Sequence, residues 1–339
     1  MTDAAPNPVL AVRRRADYVE RVHRGRVAVV DGAGALVAAL GDVETPFLPR
    51  SSCKIVQALP LVESGAAEGL DLRRLALACA SHQGSAAHAG AAAAWLAEMG
   101  LSEADLMCGP QVPNDGATRH ALREAGEAPS QLHNNCSGKH AGFLRLAQAL
   151  GAPTADYVDP DHPAQRAVRA ATAELAEEEP AGHAVDGCSA PNHAISLAGL
   201  ARSMARFAAA ETALSGARRD AAIRLRRAMA AHPFEVAGTG RACTELIEAG
   251  GGRFVVKTGA EGSFTAILPE RGLGVALKID DGDRTAAECA MTAILVGLGA
   301  LDAGDPRVAA RLTPEEVNRR GIVCGGGAPG ESLRTLTLD

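Results

Sequence analysis

RFVVKTGAEGSFTAILPERGLGVALKID, residues 253–280, decides the fold. Three runs within it, 253–257, 263–268 and 273–279, draw on Val, Ile, Phe and Thr. Gly259-Ala260-Glu261-Gly262 and Pro269-Glu270-Arg271-Gly272 separate them as tight turns, so the runs read as adjacent antiparallel strands. Residues 285–301 follow as an amphipathic helix suited to cover that sheet. Upstream, 27–30 and 35–40 flank Asp31-Gly32-Ala33-Gly34 in the pattern of a β-hairpin. A helix is expected to begin near Ser51, short or kinked because Pro60 interrupts it. From about residue 55 to 230 the chain is alanine-rich and reads as mostly helical, with the arginines of 212–231 on a solvated face. The order predicts an α+β fold: an antiparallel sheet flanked by helices, built from about 1–50 and 233–339, beside an all-helical lobe at about 55–230. An active site is expected between the two lobes.

Composition narrows the function. The 339 residues are 47% apolar and 22% charged, as in a soluble globular protein, and only nine are aromatic. Net charge is −6 and no basic stripe interleaves with aromatics, so nucleic-acid binding finds no support. No apolar run approaches a membrane span. The N-terminal stretch MTDAAPNPVLAVRRRADYVERVHRGR lacks the order of a secretory signal, and eight cysteines lie without framework spacing. Both features lead us to expect a cytoplasmic protein.

Only four lysines stand against thirty arginines. Three lie in short polar motifs: Lys54 in Ser51-Ser52-Cys53-Lys54, Lys139 in Asn135-Cys136-Ser137-Gly138-Lys139-His140, and Lys257 in Lys257-Thr258-Gly259. Arginine stays charged, whereas a lysine amine can shed its proton and act as a base or ligand, so retained lysines mark chemistry. On a helix Lys54 reaches the Ser51 hydroxyl three residues before it and can take its proton during nucleophilic attack. A second cation favours the neutral amine, and Lys257 is the candidate. Ser-x-x-Lys before a helix and Lys-Thr-Gly ending a late strand is the order found in penicillin-binding proteins and serine β-lactamases. Ser81-His82-Gln83-Gly84 fits a middle element supplying a further polar side chain.

Two cysteines stand apart from the rest, in the polar turns Asn134–His140 and Asp186–His193. By ligand preference alone Cys136, Cys188, His140 and His193 would form a zinc site, although neither turn holds a paired Cys-x-x-Cys. A buried pair of loops, or a cysteine nucleophile served by His140 or His193, are the other readings.

Taken together, Arg50–Lys54, Ala80-Ser81-His82, Asn135–His140, Asp186–Ser189 and Lys257–Gly262 resemble the Rhizobium etli-type L-asparaginases, over about residues 27–324. The resemblance implies a fold like that of serine β-lactamases and penicillin-binding proteins, a homodimer, and hydrolysis of L-asparagine to L-aspartate and ammonia. It implies Ser51 as nucleophile, Lys54 as its base, and Ser81 with Lys257 as a second Ser–Lys tandem. It implies Cys136, Lys139 and Cys188 as ligands of a Zn2+ ion beside the substrate, in place of the histidines. Arg50 and Asp186 suit the substrate's α-carboxylate and α-amino groups by charge, with Asn135 as a further substrate-binding candidate. Ser85 stands where such sequences usually carry glutamate. A penicillin-recognising D-peptidase or β-lactamase, and a non-catalytic zinc-binding protein, are the rival expectations.

Overall fold

The computed structural model describes residues 6–334, which divide into two compact units. In chain order the strands are β1 (Val9–Arg15), β2 (Tyr18–Asp31), β3 (Leu36–Leu40), β4 (Gly182–Val185), β5 (Pro191–Ala194), β6 (Val255–Thr258), β7 (Ser263–Leu268), β8 (Leu273–Ile279), β9 (Glu315–Val317) and β10 (Val323–Pro329). The first helices are α1 (Lys54–Glu63), α2 (Leu72–Ala78), α3 (Ala86–Glu98), α4 (Gly116–Ala125), α5 (Ser137–Ala149) and α6 (Pro163–Ala176). After them come α7 (Leu197–Ala208), α8 (Ala210–Ala213), α9 (Gly216–Ala231), α10 (Pro233–Val236), α11 (Ala242–Ala249), α12 (Arg284–Gly297) and α13 (Pro306–Leu312).

Among the described residues the first unit comprises 6–52, Ile195–Ala209 and 245–334. Its sheet is antiparallel, ordered β6-β7-β8-β2-β1-β10-β9, with β3 also paired to β2. The decisive segment 253–280 folds as its sequence predicts, with Lys257 opposite Thr265 and Phe264 opposite Leu277. Every residue of β7 is buried, so both faces of the sheet are covered there, and α7 and α12 are packed against it. Expectation placed residues 195–209 in the helical lobe; instead α7 belongs to the sheet. Small residues permit this approach, since a Cβ on Gly274 would collide with the backbone of Ala201 and Ala205. A bridge between Phe47 and Ile195, and a bond from Ala198 N to Val43 O of 3.0 Å, fasten the start of α7.

Four strand segments of this sheet escaped the sequence reading: β1, the first half of β2, β9 and β10. β2 runs fourteen residues, pairing with β1 along its first half and with β8 and β3 along its second. Arginines crowd β1 and its partner, and Gly325-Gly326-Gly327 fills the middle of β10, so neither stretch shows the apolar alternation of a half-buried strand.

The second unit comprises Cys53–Ala194 and Ala210–Thr244. It is not all-helical, because β4 and β5 form a hairpin with His183 opposite His193. The turn between them places Ser189 at φ +70°. α1 carries Pro60 in its last turn without ending there. Side-chain caps fix the helix starts: Asp71 accepts from Arg74 N at 2.9 Å, and Asp115 from Thr118 N at 2.8 Å. The arginines of α9 are not a plain solvated face, for Arg218 binds Glu63 at 2.8 and 3.0 Å and Arg224 donates to Ala67 O at 3.1 Å. Among the described residues no helix is long and apolar enough to cross a membrane.

Candidate active site

A single 3-10 turn, Arg50–Cys53, precedes α1 and presents Ser51 half-exposed. Arg50 enters it at φ +55°, a left-handed conformation that a side chain adopts only under constraint. The constraint is visible two residues on. Ser52 Oγ donates to Pro49 O at 2.7 Å and pairs with Ser263 Oγ at 2.9 Å, at the start of β7. Thr265 Oγ1 reaches Ser52 O at 3.0 Å and Lys257 O at 3.3 Å, joining the turn to the strand that carries Lys257. Gly259 lies so close that a Cβ there would be 2.8 Å from Pro49 O and 3.0 Å from Ser52 N. The Ser51 turn and the Lys257-Thr258-Gly259 end of β6 are thus held side by side. Lys257 is 2% exposed and its Nζ donates to Thr258 O at 2.7 Å. The Arg50 guanidinium is 3.9 Å from the Glu261 carboxylate.

In the second unit Lys54 opens α1 and is 1% exposed. Its Nζ donates to Ser81 Oγ at 3.0 Å and to Ala80 O, and lies 3.1 Å from Cys136 Sγ. The expected base therefore touches both the expected relay serine and an expected metal ligand. Cys136 Sγ in turn donates to Asn135 Oδ1 at 2.9 Å. Lys139, in the first turn of α5, is 2% exposed, with its Nζ 3.1 Å from Cys188 Sγ. Asp186 Oδ1 accepts from Gly187 N at 2.7 Å, and its half-exposed side chain leads the turn that carries Cys188.

Electrostatics divide the two thiols. Cys136 is pushed well above the ordinary thiol value by the hydrogen bond it shares with Cys188 and by burial. Cys188 is pulled far below it by that same bond and by the Lys139 charge, so Cys188 is the thiolate. Burial works against the Lys139 ammonium, but Cys188 and Cys136 outweigh it and hold Lys139 above its usual value. Of the two histidines favoured by ligand preference, His140 gives Nδ1 to Tyr157 Oη at 2.7 Å, while His193 sits on β5 against His183. Among the described residues no three His, Cys, Asp or Glu side chains gather into a metal site. Cys136, Cys188 and Lys139 offer two sulfurs and one nitrogen, a donor set that suits a borderline-soft ion such as Zn2+. An ion held there would displace the protons on Cys136 and Lys139.

Sequence reasoning singled out each lysine and cysteine of this assembly. It missed Ser52, Ser263 and Thr265, the hydroxyls that tie the turn to the sheet, because serine and threonine in strands and turns carry no spacing signal.

The sequence profile of the family described as L-asparaginase II matches residues 11–328. No curated protein matches the chain. Among solved structures the chain is similar to Mglu in its native form, at 17% identity and a TM-score of 0.42, over 78% of this chain and 57% of that one. The chain thus spans little more than half the length of Mglu. It is also similar to a β-lactamase from Mycobacterium bovis, at 13% identity and a TM-score of 0.41 over 80% of this chain and 94% of that one. D-alanine carboxypeptidase AmpC from Burkholderia cenocepacia aligns at 12% identity and a TM-score of 0.36 over 84% and 93% of the two chains.

Proposed function

Because the chain belongs to the L-asparaginase II family, we propose that it hydrolyses L-asparagine to L-aspartate and ammonia through a serine acyl-enzyme. Lys54 carries this reading: a nearly inaccessible amine, three residues after Ser51, is hydrogen-bonded to a second serine, Ser81. Ser51 Oγ attacks the side-chain amide carbon as its proton passes to Lys54. The carbon–nitrogen bond then breaks, and ammonia leaves with a proton returned through Lys54, Ser81 and Lys257, the second tandem. Water, deprotonated by the same groups, cleaves the β-aspartyl ester and restores Ser51.

Arg50 takes the substrate's α-carboxylate and Asp186 its α-ammonium. Asn135, whose carboxamide oxygen is engaged by Cys136, turns its amide nitrogen to the substrate. Cys136, Lys139 and Cys188 would hold Zn2+, which when bound would supply a positive charge beside the substrate. The enzyme acts as a homodimer in the cytoplasm; light scattering should give about twice the 34.6 kDa of one chain.

The test is ammonia release from L-asparagine by the purified protein. Ser51→Ala should abolish release while keeping fold and metal content. Undiminished turnover in that variant would reject Ser51 as the nucleophile.

A further inference from the structure

Ser81 belongs to a stretch with no helix or strand of its own, between α2 and α3. Its backbone is tied on two sides: Ser81 N donates to Val236 O at 2.9 Å, and His82 N to Asn135 O at 3.2 Å. The His82 ring adds a third tie. It is fully buried, and a buried imidazole is expensive unless both nitrogens are bonded. Gly84 N–H donates to Nδ1 at 3.1 Å, which leaves the proton on Nε2. Nε2–H then donates to Ser137 Oγ at 3.0 Å, and the Ser137 hydroxyl donates to Leu132 O at 3.0 Å. Ser137 is the residue after Cys136, so this bond spans from the Ser81 stretch to the turn that bears the thiol.

One face of the ring is also fixed. His88 stacks on His82 with centroids 4.7 Å apart and planes 7° from parallel. His88 cannot turn away, because Ser85 Oγ meets its Nδ1 at 2.5 Å and Phe234 O meets its Nε2 at 3.0 Å. Ser85, the residue standing at the usual glutamate position, thereby caps α3 and steers His88 at once.

We propose that His82 is a positioning residue for the reaction above: its ring clamps the Ser81 stretch to the Cys136 turn, so that one Lys54 amine keeps both Ser81 and Cys136 within reach. This rests on the reading of Lys54 and Ser81 as the proton relay. A leucine would fill the same volume but would fix no direction, so packing alone does not explain an imidazole here.

Kinetics on the zinc-loaded enzyme test the clamp, with each variant assayed below its own melting temperature. His82→Leu should lower kcat for L-asparagine about a hundredfold while KM moves little, the scale of loss that follows a 1 Å misplacement. His82→Gln keeps a donor and should restore most of kcat. Ser137→Ala, a milder change, should lower kcat in the same direction, and adding it to His82→Leu should cost nothing further. Wild-type kcat in both His82→Leu and Ser137→Ala, or independent additive losses, would overturn the clamp. Should His82→Leu fail to fold, Ser137→Ala still decides. An arm free of turnover separates this inference from the proposed function. Long-range 1H–15N spectra of the wild type should show His82 protonated on Nε2, with that resonance displaced in Ser137→Ala; an Nδ1–H tautomer would overturn the clamp even in an active enzyme. A correct tautomer in a protein that releases no ammonia would instead reject the proposed function.

Discussion

Lys54 shows why arginine cannot stand in for lysine here. Its Nζ reaches Ser81 Oγ, Ala80 O and Cys136 Sγ from one point, a geometry for a compact head and not for a planar fork. Lys54→Arg should therefore lower kcat about a thousandfold although the charge is kept, within the range that general acid–base groups supply. Ammonia release at saturating L-asparagine measures it. If Cys188 is a zinc ligand as proposed, Cys188→Ser should lower the zinc content of protein loaded with Zn2+ and dialysed, read by elemental analysis. The sequence made these residues legible because scarce lysines and isolated polar cysteines stand out against arginine and alanine. It could not show that Lys54 touches Cys136, since residues 82 positions apart meet only through the packing of α1, α2 and α5.

At the level of elements, two contacts carry measurable weight. Asp115 accepts from Thr118 N and Oγ1 at 2.8 and 2.7 Å, and Gln83 Nε2 donates to it at 3.1 Å. Removing this cap with Asp115→Ala should lower unfolding free energy by about 1 kcal/mol in urea melts. Gly274→Ala should destabilise by about 1–3 kcal/mol, because the new methyl meets α7 backbone, which cannot rotate aside as a side chain would. The strands of 253–280 and the hairpin 27–40 were readable because both have apolar runs and turn residues in register. The assignment of α7 was not, since its amphipathic pattern names a helix without naming the surface it covers. Nor was the β4–β5 hairpin, a short pair whose residues Gly182-His183-Ala184-Val185 lack any β signature.

Across the molecule, histidine burial sets the response to acid. His82, His88 and His193 are all held below the ordinary imidazole value by burial, His193 at about 4. In the unfolded chain each takes up a proton below about pH 6.5, whereas the folded protein resists, so the unfolded state binds more protons as pH falls. Stability is then fully present above about pH 6.5 and is lost progressively toward pH 4. Melting temperature should fall over that interval, and His193→Gln should flatten the slope. A flat profile would contradict the burial argument.

The near-absence of accessible primary amines has a practical corollary. Lys54, Lys139 and Lys257 are all but sealed from solvent and Lys278 is half-buried, its Nζ tied to Ile279 O. Amine-directed reagents such as succinimidyl esters will find almost no side chain to modify on the native protein. Conjugation or immobilisation should instead be aimed at surface carboxylates, and labelling of Lys54, Lys139 or Lys257 reports that the fold has opened.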